Sequence, residues 1–198
     1  MNYDVIRHYD MLIEEGNDPV YDPEELKEYM DKWDGSVFID ELQLSSEKHV
    51  FEIGCGSGRL AVRVAPFVKS YTGIDISPKT AERAVKNIIG EKVNIICADF
   101  LDYGIVCEFD IVYSSLTFIH IENKPAAINK ISGLLRKNGR FVLSIGKNID
   151  EYIDYGTRKI RIYPDTPSNI TALINECGMS VAAVNETEFA YIITAIKE

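Results

Sequence analysis

The sequence predicts an α/β fold in which a doubly wound, seven-stranded sheet is mostly parallel and ends in an antiparallel hairpin strand. The first observation is that strand-like apolar runs alternate with helix-like segments between residues 50 and 145. Such alternation implies parallel strands joined by right-handed crossovers. The second observation is that the runs 179–184 and 189–196 are joined by too few residues for a crossover. These two runs must therefore pair as a hairpin.

The core elements follow one another in a regular order. Two helix starts are marked by Ser77-Pro78 and Thr166-Pro167, where a hydroxyl can cap the first turn and proline suits the first helical position. The segment 148–164 is less regular. The predicted strands are 50–53, 71–75, 93–97, 109–113, 139–145, 179–184 and 189–196, and the predicted helices begin after Gly58 and at Ser77, cover 128–135 and begin at Thr166.

The residues before the first strand predict short helices. From 3 to 15 the apolar positions fall on one helical face, and Gly16 stands where a helix would end. Asp22-Pro23 offers an N-cap and a first-turn proline for a second helix. This arrangement is typical of a lid that covers a site, and it is too small for a separate domain.

A third short helix completes this N-terminal part. Asp34-Gly35 breaks the second helix, and Ser36 can cap the third. Its apolar residues directed towards the body are Val37, Phe38 and Leu42. We therefore expect a single domain over 1–198, with a helical N-terminal lid at 1–44 and a core at 48–198.

Composition excludes several classes of function. A formal net charge of -10 would repel a phosphate backbone, so no nucleic acid is expected as a partner. No apolar run approaches the roughly 20 residues that cross a bilayer, and residues 1–4 lack the features of a signal peptide. The cysteines Cys55, Cys97, Cys107 and Cys177 lie far apart, without metal or redox spacing. We expect a cytoplasmic protein with reduced thiols and no membrane partner.

The chain is organised around residues 50–59, where a buried strand runs into Gly54, Gly56 and Gly58. Glycine allows a sharp turn and removes side chains where a ligand would meet a Cβ, while the next helix directs free N–H groups at that ligand. A dinucleotide-binding turn reads G-x-G-x-x-G, whereas here the third glycine comes one position early and Arg59 follows it. An NAD-linked function is therefore disfavoured.

The stretch 52–58, E-x-G-x-G-x-G, resembles the first motif of the class I S-adenosylmethionine-dependent methyltransferases, in which an acidic residue precedes a glycine turn. Two companions strengthen the resemblance, since Asp75 ends the second strand and Asp99 follows the third. The resemblance implies a Rossmann-like fold with the last strand inserted beside the fifth. It also implies S-adenosyl-L-methionine as cofactor and S-adenosyl-L-homocysteine (SAH) as product.

Each candidate cofactor residue lies at a strand end. Asp75 lies roughly 20 residues after the glycine turn, the distance at which a carboxylate can accept both ribose hydroxyls. By the resemblance, Asp99 accepts a hydrogen bond from the adenine amino group and Glu52 stabilises the cofactor's ammonium group. Ile76 would offer an apolar surface to the adenine, and Phe100 would cover its edge.

The turn itself is expected to contact the methionine part of the cofactor through the backbone of residues 54–58, which includes Cys55. The size of Cys55 is the simplest reason for its presence. Asp75 and Asp99 also have a plainer interpretation, because aspartate at a strand end often serves only to cap the next turn or helix.

Residues 114–120 follow the fourth strand, where the resemblance places the boundary between cofactor and acceptor. Ser115 would contact the cofactor. His120 is a natural general base at neutral pH. The alternative is that His120 only hydrogen-bonds locally and that positioning alone accelerates methyl transfer. No metal is expected, because Asp110 begins the fourth strand, whereas metal-dependent O-methyltransferases place carboxylates after it.

Aromatic residues in two segments are expected to line an acceptor pocket. The aromatic candidates are Tyr29 and Trp33 in the lid, and Tyr152 and Tyr155 after the fifth strand; Arg158 in the same segment is a further candidate. Such walls suit a small organic acceptor. However, residues 158–163 also alternate charged and apolar side chains like an exposed strand, in which case Arg158 and Arg161 simply face water.

The leading hypothesis is a methyltransferase for a small-molecule acceptor, as a monomer or homodimer. A protein or peptide methyltransferase is favoured instead if the segment 148–165 forms an open groove. A non-catalytic module that only binds the cofactor is the alternative from another class, and intact Glu52, Asp75 and Asp99 argue against it. An NAD-linked enzyme is the last choice.

Overall fold

A computed structural model of the protein describes residues 3–198, so Met1 and Asn2 of the predicted lid lie outside the described residues. The helices are α1 (Tyr3–Glu14), α2 (Glu24–Met30), α3 (Gly35–Leu42), α4 (Ala61–Val64), α5 (Pro78–Asn87), α6 (Lys124–Leu134) and α7 (Pro167–Glu176). The strands are β1 (His49–Ile53), β2 (Ser70–Asp75), β3 (Val93–Cys97), β4 (Phe109–Ser115), β5 (Leu135–Gly146), β6 (Tyr152–Asp154), β7 (Lys159–Arg161), β8 (Met179–Glu186) and β9 (Ala190–Lys197). Short 3-10 turns cover Ala65–Phe67 and Phe118–His120.

The main sheet confirms the predicted fold class. Its strand order is β3-β2-β1-β4-β5-β9-β8. The first five strands pair in parallel, and β9 lies antiparallel between β5 and β8. The strand order reverses on the two sides of β1, so the crevice for a ligand lies outside the carboxyl ends of β1 and β4.

Both faces of the sheet are buried, as a parallel sheet requires. In β1, Phe51 and Ile53 point to the face covered by α6 and α7, where Ile128 and Ile174 join the same core cluster. Val50 points to the opposite face, where the core is completed by apolar residues of α3, α4 and α5, among them Phe38, Leu42, Ala61 and Ala84.

Two predicted helix caps are wrong. Pro23 occupies the N-cap of α2 without a side-chain hydrogen bond, so Asp22 does not cap it. Asp34, and not Ser36, caps α3, because its carboxylate accepts the Gly35 N–H at 2.9 Å. Of the apolar residues of α3, Val37 is exposed, in contrast to the buried Phe38 and Leu42. α4 forms only a single turn after the glycine turn.

The segment 148–164 contains a small second sheet in which β6 and β7 pair antiparallel, with Tyr152 opposite Arg161. Backbone bonds attach this hairpin to the body, with the Tyr163 N–H donating to the Ile119 carbonyl at 2.7 Å. The buried Lys124 ammonium strengthens the attachment by donating to the carbonyls of Phe118, Ile121 and Tyr163. The hairpin is therefore held beside the loop that follows β4. Among the helices of residues 3–198, none combines the length and apolarity that crossing a bilayer requires.

Candidate functional site

A cavity of about 1010 Å³ lies at the carboxyl ends of the parallel strands. Its floor is made by residues that end β1, β2, β4 and β5 or follow β3, and its roof by α1 and the hairpin segment 148–163. The residues that line the cavity include Tyr9, Trp33, Glu52, Gly56, Arg59, Asp75, Asp99, Ser115, His120, Tyr155, Arg161 and Tyr163.

The glycine turn leaves room for a ligand at one position above all. Gly54, Gly56 and Gly58 all have positive φ angles, of 72°, 55° and 104°. A Cβ at Gly54 would overlap Thr117 and one at Gly58 would overlap Ile88, whereas one at Gly56 would meet nothing. Gly54 and Gly56 line the cavity, and Gly58 lies behind the wall. The space beside Gly56, which a side chain would otherwise fill, is therefore free for a cofactor that contacts the protein backbone there.

Asp75 is fixed at the end of β2 by two backbone donors. Its Oδ2 accepts the Gly56 N–H and its Oδ1 accepts the Ser77 N–H, each at 2.9 Å. Burial raises the pKa of Asp75, and these two N–H groups partly offset that rise. A carboxylate oxygen has a further lone pair after one such bond, so Asp75 can still accept ribose hydroxyls from the cavity.

Glu52 is buried beneath the turn and held by two phenols that sequence reasoning did not pair with it. Its Oε2 accepts the hydroxyl protons of Tyr71 and of Tyr113, the latter at 2.7 Å. Burial raises the pKa of Glu52 to about 7, and the two tyrosine hydrogen bonds limit the rise. A cation placed beside this carboxyl would favour its charged form.

Asp99 lies in the turn that follows β3, where its Oδ1 accepts the Leu101 N–H at 2.8 Å. It therefore has the turn-capping role that an aspartate at a strand end often has. Ile76, Asp99 and Phe100 all line the cavity. Phe100 is only 6% exposed and packs against Phe51, so most of its ring belongs to the core. Cys55 also lines the cavity, and burial raises the pKa of its thiol well above the ordinary value.

A buried ion pair that sequence reasoning missed joins the N-terminal segment to the glycine turn. Asp34 is 0% exposed and accepts hydrogen bonds from the Arg59 guanidinium and, at 2.7 Å, from the Ser115 hydroxyl. Burial alone would raise the pKa of Asp34, but Arg59 outweighs it and the pKa is lowered. Arg59 and Ser115 thus both line the cavity with their polar groups bound to Asp34.

Two further carboxylates of the N-terminal segment bind cofactor-side elements. Asp18 accepts hydrogen bonds from Ser57 at 2.8 Å and from Asn87, and it pairs with Arg83. Asp10 accepts from the Ser77 hydroxyl at 2.7 Å, at the start of α5. No local pattern predicted these contacts, because each joins residues tens of positions apart.

His120 lies in the cavity wall with one ring nitrogen bound and one free. Its Nε2 lies 2.8 Å from the Tyr9 hydroxyl, while its Nδ1 is buried without a hydrogen-bond partner among the described residues. Burial, His8 and Lys124 together lower the pKa of His120 to about 4. The imidazole is therefore neutral at pH 7. Burial also raises the pKa of Tyr9, which stays a neutral phenol.

The predicted acceptor residues separate into two groups. Trp33 and Tyr155 line the cavity. Tyr29 lies outside the wall, half exposed and packed on Trp33 at 5.3 Å between ring centroids, and Tyr152 is also half exposed outside it. Arg158 lies outside as well, because its guanidinium pairs with Glu15 at the surface.

Arg158 also reaches inwards to a second histidine, with its Nε donating to the Nδ1 of His8 at 2.8 Å. His8 is 1% exposed, and its pKa is lowered to about 4 by burial and by Arg158. Since Nδ1 accepts from Arg158, the proton of neutral His8 must reside on Nε2, which has no partner among the described residues.

Asp110 lies at the start of β4, paired with Arg136 and away from the cavity.

Comparisons with known proteins agree with this geometry. A family model described as a methyltransferase domain matches residues 51–143. A methyltransferase of Geobacillus sp. (strain WCH70), described as uncharacterized, is 28% identical over 166 residues, which are 75% of this chain and 78% of that protein.

Solved structures share the fold at lower identity. The DhpI–SAH complex superposes with a TM-score of 0.77 at 16% identity, covering 100% of this chain and 98% of that one. Magnesium protoporphyrin IX methyltransferase from Synechocystis PCC 6803, solved with bound SAH, gives a TM-score of 0.65 at 21% identity, covering 82% of this chain and 78% of that one.

Proposed function

We propose that the chain is a class I S-adenosylmethionine-dependent methyltransferase, in keeping with the methyltransferase family model that matches residues 51–143, and that it transfers the methyl group of S-adenosyl-L-methionine to a small-molecule acceptor. The observation that carries the proposal is the single roofed cavity of about 1010 Å³ that continues from the glycine turn to the hairpin segment. Sites for one drug-sized ligand are about 300–1,000 Å³. This cavity therefore suits a cofactor together with a small acceptor.

The cofactor residues keep the roles expected from the sequence. Asp75 would accept hydrogen bonds from the ribose hydroxyls, Asp99 would accept one from the adenine amino group, and the backbone at Gly54 and Gly56 would contact the methionine part. Glu52 would stabilise the ammonium group, whose positive charge would lower the raised pKa of this buried carboxyl. When bound, S-adenosyl-L-methionine supplies a sulfonium methyl group that a nucleophile can attack.

On the acceptor side, we propose that His120 takes a proton from the acceptor through the hydroxyl of Tyr9, which lines the cavity and lies 2.8 Å from Nε2. In the tautomer that permits this, Nε2 accepts the Tyr9 hydroxyl hydrogen while the Tyr9 oxygen takes the proton of the acceptor. The lowered pKa, about 4, keeps the imidazole unprotonated at pH 7. An acceptor that needs no base would be served by positioning alone.

The roof favours a small molecule over a peptide. Tyr9 of α1 and Tyr155 and Tyr163 of the hairpin segment line the cavity, and their rings would obstruct the extended groove that a peptide needs. A cytoplasmic location, a single domain with residues 1–44 acting as a lid, and a monomeric or homodimeric state stay predictions.

Calorimetry with S-adenosyl-L-methionine, SAH and NAD tests the cofactor part of the proposal. We expect SAH to bind at roughly micromolar affinity or tighter, and NAD not to bind. Incubation of a cell extract with the protein and methyl-labelled cofactor, followed by separation by size, tests the acceptor class. Label in the small-molecule fraction is expected, and label confined to proteins would contradict the proposal.

A further inference from the structure

Arg161 is a cation in the cavity wall whose charge no carboxylate of residues 3–198 neutralises. Arg59 and Arg161 are the basic residues that line the cavity. The guanidinium of Arg59 is taken by Asp34, and the nearby Arg158 is taken by Glu15. Arg161 forms no hydrogen bond or ion pair with any described side chain, and its contact is with the ring of Tyr163. Arg161 is exposed, as in the alternative in which it faces water, and its N–H donors are therefore available to a ligand that displaces water.

The position of Arg161 is fixed although its donors are free. Its guanidinium carbon lies 5.3 Å from the centroid of the Tyr163 ring. Its backbone pairs with Tyr152 in the small sheet, and the Tyr163 N–H bonds to the Ile119 carbonyl at 2.7 Å. A guanidinium in cation–π contact with an aromatic face keeps its N–H groups in its own plane, where they can bind an oxyanion at two points.

The surroundings of Arg161 define the rest of the ligand. Ile153, Tyr155, Ile162 and Tyr163 line this end of the cavity, and it borders on the loop that carries His120. Asp4 and Glu122 also line the cavity, and neither forms an ion pair with Arg161. The wall thus offers apolar and aromatic surface, one available cation at Arg161, and the carboxylates of Asp4 and Glu122.

We propose that Arg161 binds an acidic group of the methyl acceptor, so that the substrate class is small, flat, apolar molecules bearing a carboxylate or a phosphate ester. This inference rests on the proposed function, because it assigns the acceptor end of the same cavity. It also separates the two arginines of the hairpin segment, since Arg158 is occupied by Glu15 and His8 while Arg161 is available.

The test compares charged and neutral probes of one shape. Binding of 2-naphthoate and 2-naphthamide to the SAH complex is measured by calorimetry, for the wild type, Arg161→Gln and Arg7→Gln. Arg7 is the matched control, because it is an exposed arginine of α1 that does not line this cavity. We expect the wild type and Arg7→Gln to prefer naphthoate by roughly tenfold or more, which corresponds to one charge-assisted hydrogen bond. Arg161→Gln should lose that preference.

Two results overturn the proposal: a wild type that prefers neither the carboxylate nor the phosphate probe over its neutral counterpart, or a preference that is unchanged in Arg161→Gln. 2-Naphthyl phosphate and neutral 2-naphthol form a second pair. A preference for the phosphate that Arg161→Gln removes supports the proposal and assigns the acidic group to a phosphate ester. Arg161→Lys retains the charge and should keep part of the preference. Thermal melting verifies that each variant is folded.

Failure of the proposed function is a separate result. If SAH itself does not bind, the methyltransferase proposal fails, and the acid–amide comparison is repeated on the protein without SAH. A preference that depends on Arg161 in that experiment supports the anion site even then, while its absence overturns it.

Discussion

The cofactor side and the acceptor side of the cavity are built in different ways. On the cofactor side, the key contact joins the ends of adjacent strands, with the Gly56 N–H donating to Asp75 at 2.9 Å. On the acceptor side, Tyr9 contacts His120 at a separation of 111 residues, and His8 contacts Arg158 at a separation of 150. One side is made mainly by the sheet's backbone, and the other by side chains of distant segments.

This difference predicts which substitutions alter cofactor binding and which alter acceptor binding. Parallel strands in register bring their carboxyl ends to one edge, so the strand-end residues of the cofactor side meet whenever the sheet forms. The acceptor side forms only when α1 and the hairpin segment are docked on that edge. Substitutions on the first side should therefore affect SAH binding, and those on the second should affect acceptor binding.

The largest expected effect is the loss of SAH binding in Gly56→Val. A valine side chain would occupy the open space beside the turn and would strain a position with φ of 55°. Calorimetry should detect no SAH binding by a protein that still melts cooperatively. Gly104→Val is the control, because a Cβ at Gly104 also meets nothing but lies in a loop outside the cavity. Full affinity in folded Gly56→Val would contradict the cradle.

The next effect is on stability, in Asp34→Ala. Removing one partner of a buried ion pair leaves Arg59 uncompensated and typically costs about 3–5 kcal/mol. The matched control is Asp31→Ala, which breaks the exposed pair with Arg63 and should cost less than about 1 kcal/mol. Urea unfolding measures both. Equal losses in the two variants would show that the Asp34 pair does not join the N-terminal segment to the glycine turn in solution.

A smaller effect is expected in Asp75→Ala, which should weaken SAH binding by about 1.5–3 kcal/mol through loss of charge-assisted hydrogen bonds. Asp110→Ala removes an aspartate at the amino end of β4, outside the cavity, and should leave SAH affinity unchanged. Calorimetry on both variants makes the comparison. Unchanged affinity in Asp75→Ala would remove the ribose assignment.

The smallest expected effect is on the free energy of unfolding below pH 7, where His8 on the acceptor side and Glu52 on the cofactor side act in opposite directions. The pKa of His8 is lowered from 6.5 to about 4, so the unfolded state binds more protons and stability falls as pH drops through this range. The pKa of Glu52 is raised from 4.5 to about 7, so its contribution to stability is present in acid and is lost as pH rises through that range.

Single variants separate these two opposing trends. Between pH 7 and pH 5, His8→Phe should lose less stability than the wild type, and Glu52→Gln should lose more. Urea unfolding at each pH gives the free energies of unfolding. Three parallel curves would contradict the burial of both groups in the uncharged form.

The sequence was sufficient for the sheet and for the strand-end residues of the cofactor side. The alternation of strands and helices, the closing hairpin and the bounds of β3 follow from period and spacing, which local residues encode, while the position of β9 beside β5 was implied by the family resemblance. The placement of Asp75 and Gly56 in the cavity wall follows in the same way, because both end or follow buried strands.

The acceptor side could not be predicted in the same way. β6 and β7 have three residues each, too few for an alternating pattern to distinguish them from an irregular loop. The aromatic character of Tyr29 and Tyr152 suggested a pocket wall, but tertiary packing places both outside it. The Asp34–Arg59 pair joins segments 25 residues apart, and opposite charges alone do not identify such a pair in a chain with many of both signs.

The buried ammonium of Lys124 contributes to the attachment of the hairpin segment in a way that is independent of side-chain type. Its bonds to Phe118, Ile121 and Tyr163 all end on carbonyl oxygens, which every residue type supplies. This part of the attachment does not depend on which side chains the hairpin carries, whereas the bonds of Arg158 to His8 and Glu15 and the buried side chains of Ile160 and Ile162 do. A hairpin of the same length grafted between Asn148 and Tyr163 should preserve docking if Lys124 and these three hairpin residues are kept, and its other positions offer a route to redesigning acceptor choice while the cofactor turn is left untouched.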